Sequence, residues 1–185
     1  MAQVKGTAVL SSLRHVRERF GEPALAGVLS ALPSGDAALL SGLVLASSWY
    51  PMGCLLRFMQ EAEKQLAAQD PKLLQNMGRA SCDDGLKGIY KIFLKVGSPG
   101  FIIDRAARVL ANYYDTGELV VVDRGERHVA VELRGLEEAG RPFCERIYGW
   151  MQRTLELTGV RNLRSAHSSC LHRGDPVCRF EGRWD

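Results

Sequence analysis

Five cysteines and four histidines are the residues of this chain best suited to metal or thiol chemistry. Cys170 and Cys178 bracket the segment Leu171-His172-Arg173-Gly174-Asp175-Pro176-Val177, and Cys144 stands upstream in the pattern C-x25-C-x7-C. If the segments around Cys170 and Cys178 pair as a hairpin, the two thiols face each other across its neck. Cys178, Phe180 and Trp184 share one strand parity and Arg179, Glu181 and Arg183 the other, which turns Cys178 toward the core. Cys144 shares a helical face with Ile147, Met151 and Leu155. Three thiolates and one imidazole make a closed tetrahedral zinc site that can hold a helix to a sheet. His167 and His172 are the candidates for the fourth ligand. Strict alternation puts His167 on the face opposite Cys170, so it joins only if the strand ends or bulges by about Ser168. His172, in the loop, has freer geometry. Two plainer readings stand beside the metal: three buried thiols acting as small hydrophobes, or a Cys170–Cys178 disulfide formed on oxidation. Cys54 and Cys82 read as packing.

Composition narrows the setting. The chain has 185 residues, 46% of them hydrophobic, with 24 Lys+Arg against 21 Asp+Glu, a net charge of +3. This describes a globular chain with a substantial core, and neither a disordered nor a collagen-like one. The N-terminus lacks the continuous apolar region of a signal peptide. The most apolar stretch, Ala37 to Ala46, is about half the length a membrane span needs. The expectation is a cytoplasmic protein with no membrane span, in which thiols stay reduced.

The elements that must position the cysteines follow from periodicity. Ala8 to Phe20 reads as a helix ended by Gly21, and Pro23 opens a short one running to Leu32. Pro51 begins a helix with Met52, Leu55, Leu56, Met59, Ala62 and Leu66 on one face. Asp70-Pro71 starts another, and Asp83 or Asp84 caps one through Ile89, Ile92, Phe93 and Val96. Ser98-Pro99 begins an amphipathic helix through Ile102, Ala106, Val109, Leu110 and Tyr113. At Gly117 the period changes from helical to alternating. Glu118 to Asp123 and His128 to Leu133 form a hairpin around Arg124-Gly125-Glu126. Helix returns from Glu137 to Thr158, and Asn162 to Cys170 and Val177 to Trp184 are two more strands. The expected fold is α+β: a helical N-terminal half, about 1–116, packed on an antiparallel sheet. The C-terminal order is β-β-α-β-β, and the sheet-containing part, about 117–185, belongs to the same single domain.

The last third, Pro142 to Trp184, resembles the 4-vinyl reductase-type domain. The residues that carry the likeness are Cys170-x-x-x-Gly174-Asp175-Pro176-x-Cys178-x-Phe180 and the upstream helix Phe143-Cys144-Glu145-Arg146-Ile147-Tyr148-Gly149. The aromatic-sensing domains of phenol-responsive bacterial activators look similar over this region. There, three cysteines and a carboxylate hold a structural zinc. The resemblance therefore implies Cys144, Cys170 and Cys178 as ligands, with His167 in the carboxylate's place. Val4-Lys5-Gly6-Thr7 and Ser47-Ser48-Trp49-Tyr50-Pro51 are similar to a paralogous myxobacterial family that ends in the same hairpin. Together these imply the fold shared with TRAPP vesicle-tethering subunits and, more distantly, haem-NO-binding domains.

Catalytic motifs do not emerge. The chain has no phosphate loop, no G-x-G-x-x-G after a strand, no deaminase zinc signature and no nucleophile elbow. Between His15 and His128 it has no histidine, so the helix from Ser98 to Tyr114 has none to offer as an axial ligand, and haem is disfavoured. Basic and acidic residues alternate near the C-terminus, which speaks against nucleic acid. Aromatics on several helices, Trp49, Phe58, Phe101, Tyr113, Tyr148 and Trp150, suggest an apolar ligand pocket, with Arg105 or Tyr113 as a polar handle. The reading is a non-enzymatic sensor for an aromatic or acyl molecule, with a zinc site, that signals through a protein partner or as a homodimer. The alternative is a structural adaptor dimer of TRAPP-subunit type with a filled core.

Overall fold

The computed structural model of the chain describes residues 2–85, 110–136 and 140–185. Strand β1 (Gln3–Lys5) leads directly into helix α1 (Gly6–Phe20), followed by α2 (Glu22–Ser30) and α3 (Ser34–Ser41). Strand β2 (Trp49–Pro51) then runs into α4 (Met52–Leu66), and α5 (Leu73–Gly85) follows. After residue 110 come β3 (Glu118–Gly125), β4 (His128–Arg134), α6 (Gly140–Leu157), β5 (Arg164–Ser169) and β6 (Cys178–Arg183). The α+β class, the helical N-terminal half and the β-β-α-β-β order all stand as the sequence indicates.

Helix α6 lies between two partners. One side meets the sheet through Ile147, Met151 and Leu155, the residues whose spacing made the helix legible, and all three are buried. The other side meets α5 at very short range. A Cβ on Gly78 would fall 1.9 Å from the Arg146 carbonyl oxygen, and one on Gly149 would fall 2.0 Å from the Gln75 carbonyl oxygen. Each glycine leaves room for the opposite backbone, so the axes approach more closely than larger residues permit. Polar pairs extend this seam. Arg79 grips Glu156 with two hydrogen bonds of 2.8 and 2.6 Å, Arg153 reaches Asp83 at 2.8 Å, and the Cys82 thiol lies 3.3 Å from the Thr154 hydroxyl.

The four-stranded sheet is antiparallel in the order β3-β4-β6-β5. Its inner face carries Leu119, Val129, Val131, Leu133, Cys178 and Phe180, which join the same hydrophobic cluster as α1, α4, α5 and α6. The small sheet of β1 and β2 sets Val4 opposite Tyr50 and makes a further bridge from Val4 to Tyr114. That bridge places Tyr114 beside α6.

Several expectations need amendment. Asp83 and Asp84 do not begin a helix, because both lie within the last turns of α5. The dyad was read as a cap when Arg153 takes the Asp83 carboxylate instead. Part of the apolar stretch Ala37 to Ala46 belongs to α3, and β1 and β2, three residues each, are too short to show an alternating period. The β3–β4 turn falls at Glu126-Arg127, because β3 continues through Arg124 and Gly125. The helices assigned to Ile89–Val96 and to most of Ser98–Tyr113, with Phe101 and Arg105, lie outside the described residues.

Two measurements check the seam. Gly78→Ala should cost about 3 kcal/mol in urea unfolding, since backbone rather than a side-chain tip must yield. Glu156 has its pKa lowered from 4.5, chiefly by the Arg79 hydrogen bonds. Its stabilisation is therefore present above pH 4.5 and is lost as the pH falls through the depressed value. Because the pair is about a third exposed, solvent screens it. Glu156→Gln should cost roughly 0.5–1 kcal/mol at neutral pH and almost nothing in acid, where both proteins carry a neutral side chain.

Candidate functional site

The three C-terminal cysteines meet where α6 packs against the hairpin of β5 and β6. Cys144 Sγ lies 3.3 Å from Cys178 Sγ, and Cys178 Sγ lies 3.8 Å from Cys170 Sγ. All three are buried and none is in a disulfide. His167 completes the group: one ligand atom from each of Cys144, His167, Cys170 and Cys178 lies within 4.8 Å of all the others.

The hairpin achieves this by a local irregularity. The β5–β6 register slips between His167 and Ser169, so Ser168 is an extra residue in the strand. His167 pairs with Phe180 on the inner face, with ring centroids 4.6 Å apart. Ser169 pairs with Arg179 on the outer face, which returns Cys170 to the inside opposite Cys178. The bulge that the sequence required at about Ser168 is present, and it puts His167 and Cys170 on one side despite their odd spacing. The loop beyond is tied by its own residues. The Asp175 carboxylate accepts the Cys170 amide at 2.6 Å, and Gly174 takes a left-handed φ of 88° that closes the turn. His172 lies exposed in that turn, apart from the cluster.

Glu145, the residue after Cys144, is the member of the site that sequence reasoning missed. Its Oε1 lies 3.4 Å from His167 Nδ1, and its Oε2 accepts a 2.8 Å bond from Gln75. A proton on Nδ1 facing this carboxylate leaves the Nε2 lone pair among the thiols. That nitrogen is buried without a hydrogen-bond partner, and the side chain is only 6% exposed. Burial works against the His167 imidazolium, but Cys178 and Glu145 outweigh it and raise the pKa. Glu145 is itself lowered, by His167 first and Gln75 second. Hydrogen bonding from Cys144 favours the Cys178 thiolate, while the same contact and burial push Cys144 up. Cys54 and Cys82, by contrast, are each pushed up to about 12, chiefly by burial, as expected of packing cysteines.

Among the described residues the aromatics do not form one pocket. Trp49 is 40% exposed with the Lys5 ammonium over its ring, and Phe58 is fully buried in the core. Tyr148 lies on the sheet side of α6, its ring stacked on Phe180. Tyr113 and Trp150 do share a cavity, of about 20 Å³, between α5 and α6. Its wall is completed by Leu110 and Ile147 and by three polar residues, Ser81, Tyr114 and Arg146. Arg146 was not singled out by the sequence, because an arginine at a helical position normally signals a solvated face. Here it is 2% exposed, and it donates to the Tyr114 hydroxyl at 2.8 Å and to the Ser81 hydroxyl at 2.9 Å.

A scan against protein-family models and a search of curated proteins found no match. The search of solved structures did. The chain is similar to the Fe(II) unliganded H-NOX protein from K. algicida, at TM-score 0.70 and 12% identity over 98% of this chain and 96% of that one. It is similar to an H-NOX protein from S. oneidensis in the Fe(II)NO ligation state, at 0.71 and 12% over 98% and 99%. An oxygen-binding H-NOX domain related to soluble guanylate cyclases matches at 0.69 and 9% over 98% and 95%. Identities this low establish the fold, which is that of the haem-NO-binding domains. The 4-vinyl reductase-type, myxobacterial and TRAPP resemblances gain nothing from these comparisons.

The expectation that haem is disfavoured has to be corrected. The fold is shared along nearly its whole length with haem proteins, a relationship the sequence reading had held to be distant. That reading excluded only histidine ligation, and tyrosine or cysteine can also hold haem iron. Among the described residues, Arg146 is a buried cation of the kind that can receive a propionate.

Glu145→Gln should lower the His167 pKa in metal-free protein, because it removes a group that favours the imidazolium. An NMR titration of the imidazole reads this directly, and an unchanged midpoint would separate Glu145 from His167.

Proposed function

We propose that this chain is a small-molecule-binding sensor domain that reports occupancy to a protein partner. In this reading Cys144, Cys170, Cys178 and His167 hold a structural metal ion. The observation that carries the small-molecule reading is the fold, shared along almost the whole chain with oxygen- and NO-liganded domains. Haem is accordingly a ligand to test, alongside aromatic and acyl molecules.

The metal reading rests on the donor set. Sulfurs at about 2.3 Å from a tetrahedral ion stand about 3.8 Å apart. The observed separations of 3.3 and 3.8 Å are close to that spacing. Three thiols and an imidazole turned by a carboxylate suit zinc, and the centre would clamp the β5–β6 hairpin to α6. This also supports the resemblance to the 4-vinyl reductase-type domain and to the zinc-holding aromatic sensors. A structural role suits the burial of the thiols, and a reducing, cytoplasmic setting suits their free state.

An output through protein contact is supported by the N-terminal helices. Leu43 is 86% exposed and Leu45 50%, beside a groove of about 410 Å³ floored by Leu10, Leu13, Leu25 and Leu29. Among the described residues no helix is long and apolar enough to cross a membrane.

Metal analysis and native mass spectrometry of the freshly purified chain test both parts. About one zinc per chain is expected, and it should be lost in Cys178→Ser together with several kcal/mol of stability. Titration with haem should give a Soret band, or a panel of aromatic and acyl molecules should give a ligand-shifted mass. A bare polypeptide that takes up none of these would overturn the sensor reading.

A further inference from the structure

Among the described residues nothing balances the charge of Arg146. It is held inside the protein by two neutral hydroxyls, and its Nε–H is buried without any acceptor. Among the described residues no carboxylate forms an ion pair with it. The nearby acids are already engaged: Asp83 with Arg153, Glu145 with His167 and Gln75, and Glu156 with Arg79 and Arg153. Nor does Tyr114 neutralise it, since burial pushes that phenol up and outweighs the guanidinium beside it. A cation withdrawn from water with no counter-charge is costly, and interiors rarely keep one without use for it.

The surroundings give the charge a purpose. Arg146 lines the cavity between α5 and α6, with Ser81 and Tyr114 also at the wall and Leu110, Ile147 and Trp150 forming its apolar part. Its volume of about 20 Å³ holds one water-sized group, so a carboxylate and its tail enter only as the cavity widens. Ser81 and Tyr114 fix the plane of the guanidinium through its two terminal nitrogens, leaving Nε as the free donor.

The geometry points to an anion subsite at Arg146 that receives the carboxylate of an otherwise apolar organic acid. The inference rests on the small-molecule reading and narrows it, from any hydrophobic ligand to a monocarboxylate with an aromatic or acyl tail. Arginine suits this task because it keeps its charge when buried, and a charge-assisted bond from Nε to a carboxylate is stronger than a neutral one.

The test compares acids with their uncharged amides on the unaltered chain: benzoate against benzamide for an aromatic tail, decanoate against decanamide for an acyl one. Calorimetry and thermal shift should show at least one acid binding about tenfold or more tightly than its amide. The pair showing the larger preference identifies the tail. Arg146→Met should abolish the preference. If that variant fails to fold, Tyr114→Phe and Ser81→Ala, which only loosen the guanidinium, should reduce it several-fold. Equal binding of acid and amide, or a preference that survives loss of Arg146, would overturn the inference. If benzamide, decanamide or phenol binds while both acids fail, the subsite is refuted and the sensor reading stands. If acids, amides, phenol and haem all fail, both fall.

Discussion

The close approach of α5 and α6 is the constraint on which the rest depends. Where Gly78 and Gly149 face opposing carbonyls, no side chain separates the two backbones. That contact fixes α6 in rotation as well as in distance. Cys144 and Arg146, two residues apart on a helix of 3.6 residues per turn, must then point in nearly opposite directions. One thiol goes to the hairpin and one guanidinium to the interhelical cavity. The thiol cluster and the buried cation are thus two consequences of a single rotational setting.

Much of this was legible because it is periodic. The spacing of Phe143, Ile147, Met151 and Leu155 defined α6, and the parity of Cys178, Phe180 and Trp184 gave the inner face of β6; all seven are buried. The meeting of Cys144, Cys170 and Cys178 followed from those two patterns. What stayed hidden was aperiodic. Arg146 looks like a surface residue until Ser81 and Tyr114, brought from distant parts of the chain, are placed around it. Glu145 sits on no apolar stripe, and its role exists only through the position of His167. The short strands β1 and β2 carry too few residues for alternation to register, although their bridge to Tyr114 positions one wall of the cavity.

The haem question sets a residue-type argument against a shape argument. Lack of a histidine in the expected segment is a statement about one ligand atom, whereas the likeness to haem-binding domains extends over the whole backbone. At identities near a tenth, the likeness is one of backbone architecture and carries few side chains with it. Function on such a scaffold has to be read from the particular groups it now holds. Among the described residues these are four clustered donors and one charge without a counter-charge.

The extra residue at Ser168 has a consequence of its own. His167 and Cys170 stand three residues apart and share a face only because Ser168 is taken up as a bulge. The cluster is therefore a matter of arithmetic as well as of chemistry. Without Ser168 the two would stand two apart and share a face of a regular strand, whereas an interval of three with no bulge would turn either the imidazole or the thiol out to solvent. In this hairpin the bulge and the odd interval require each other.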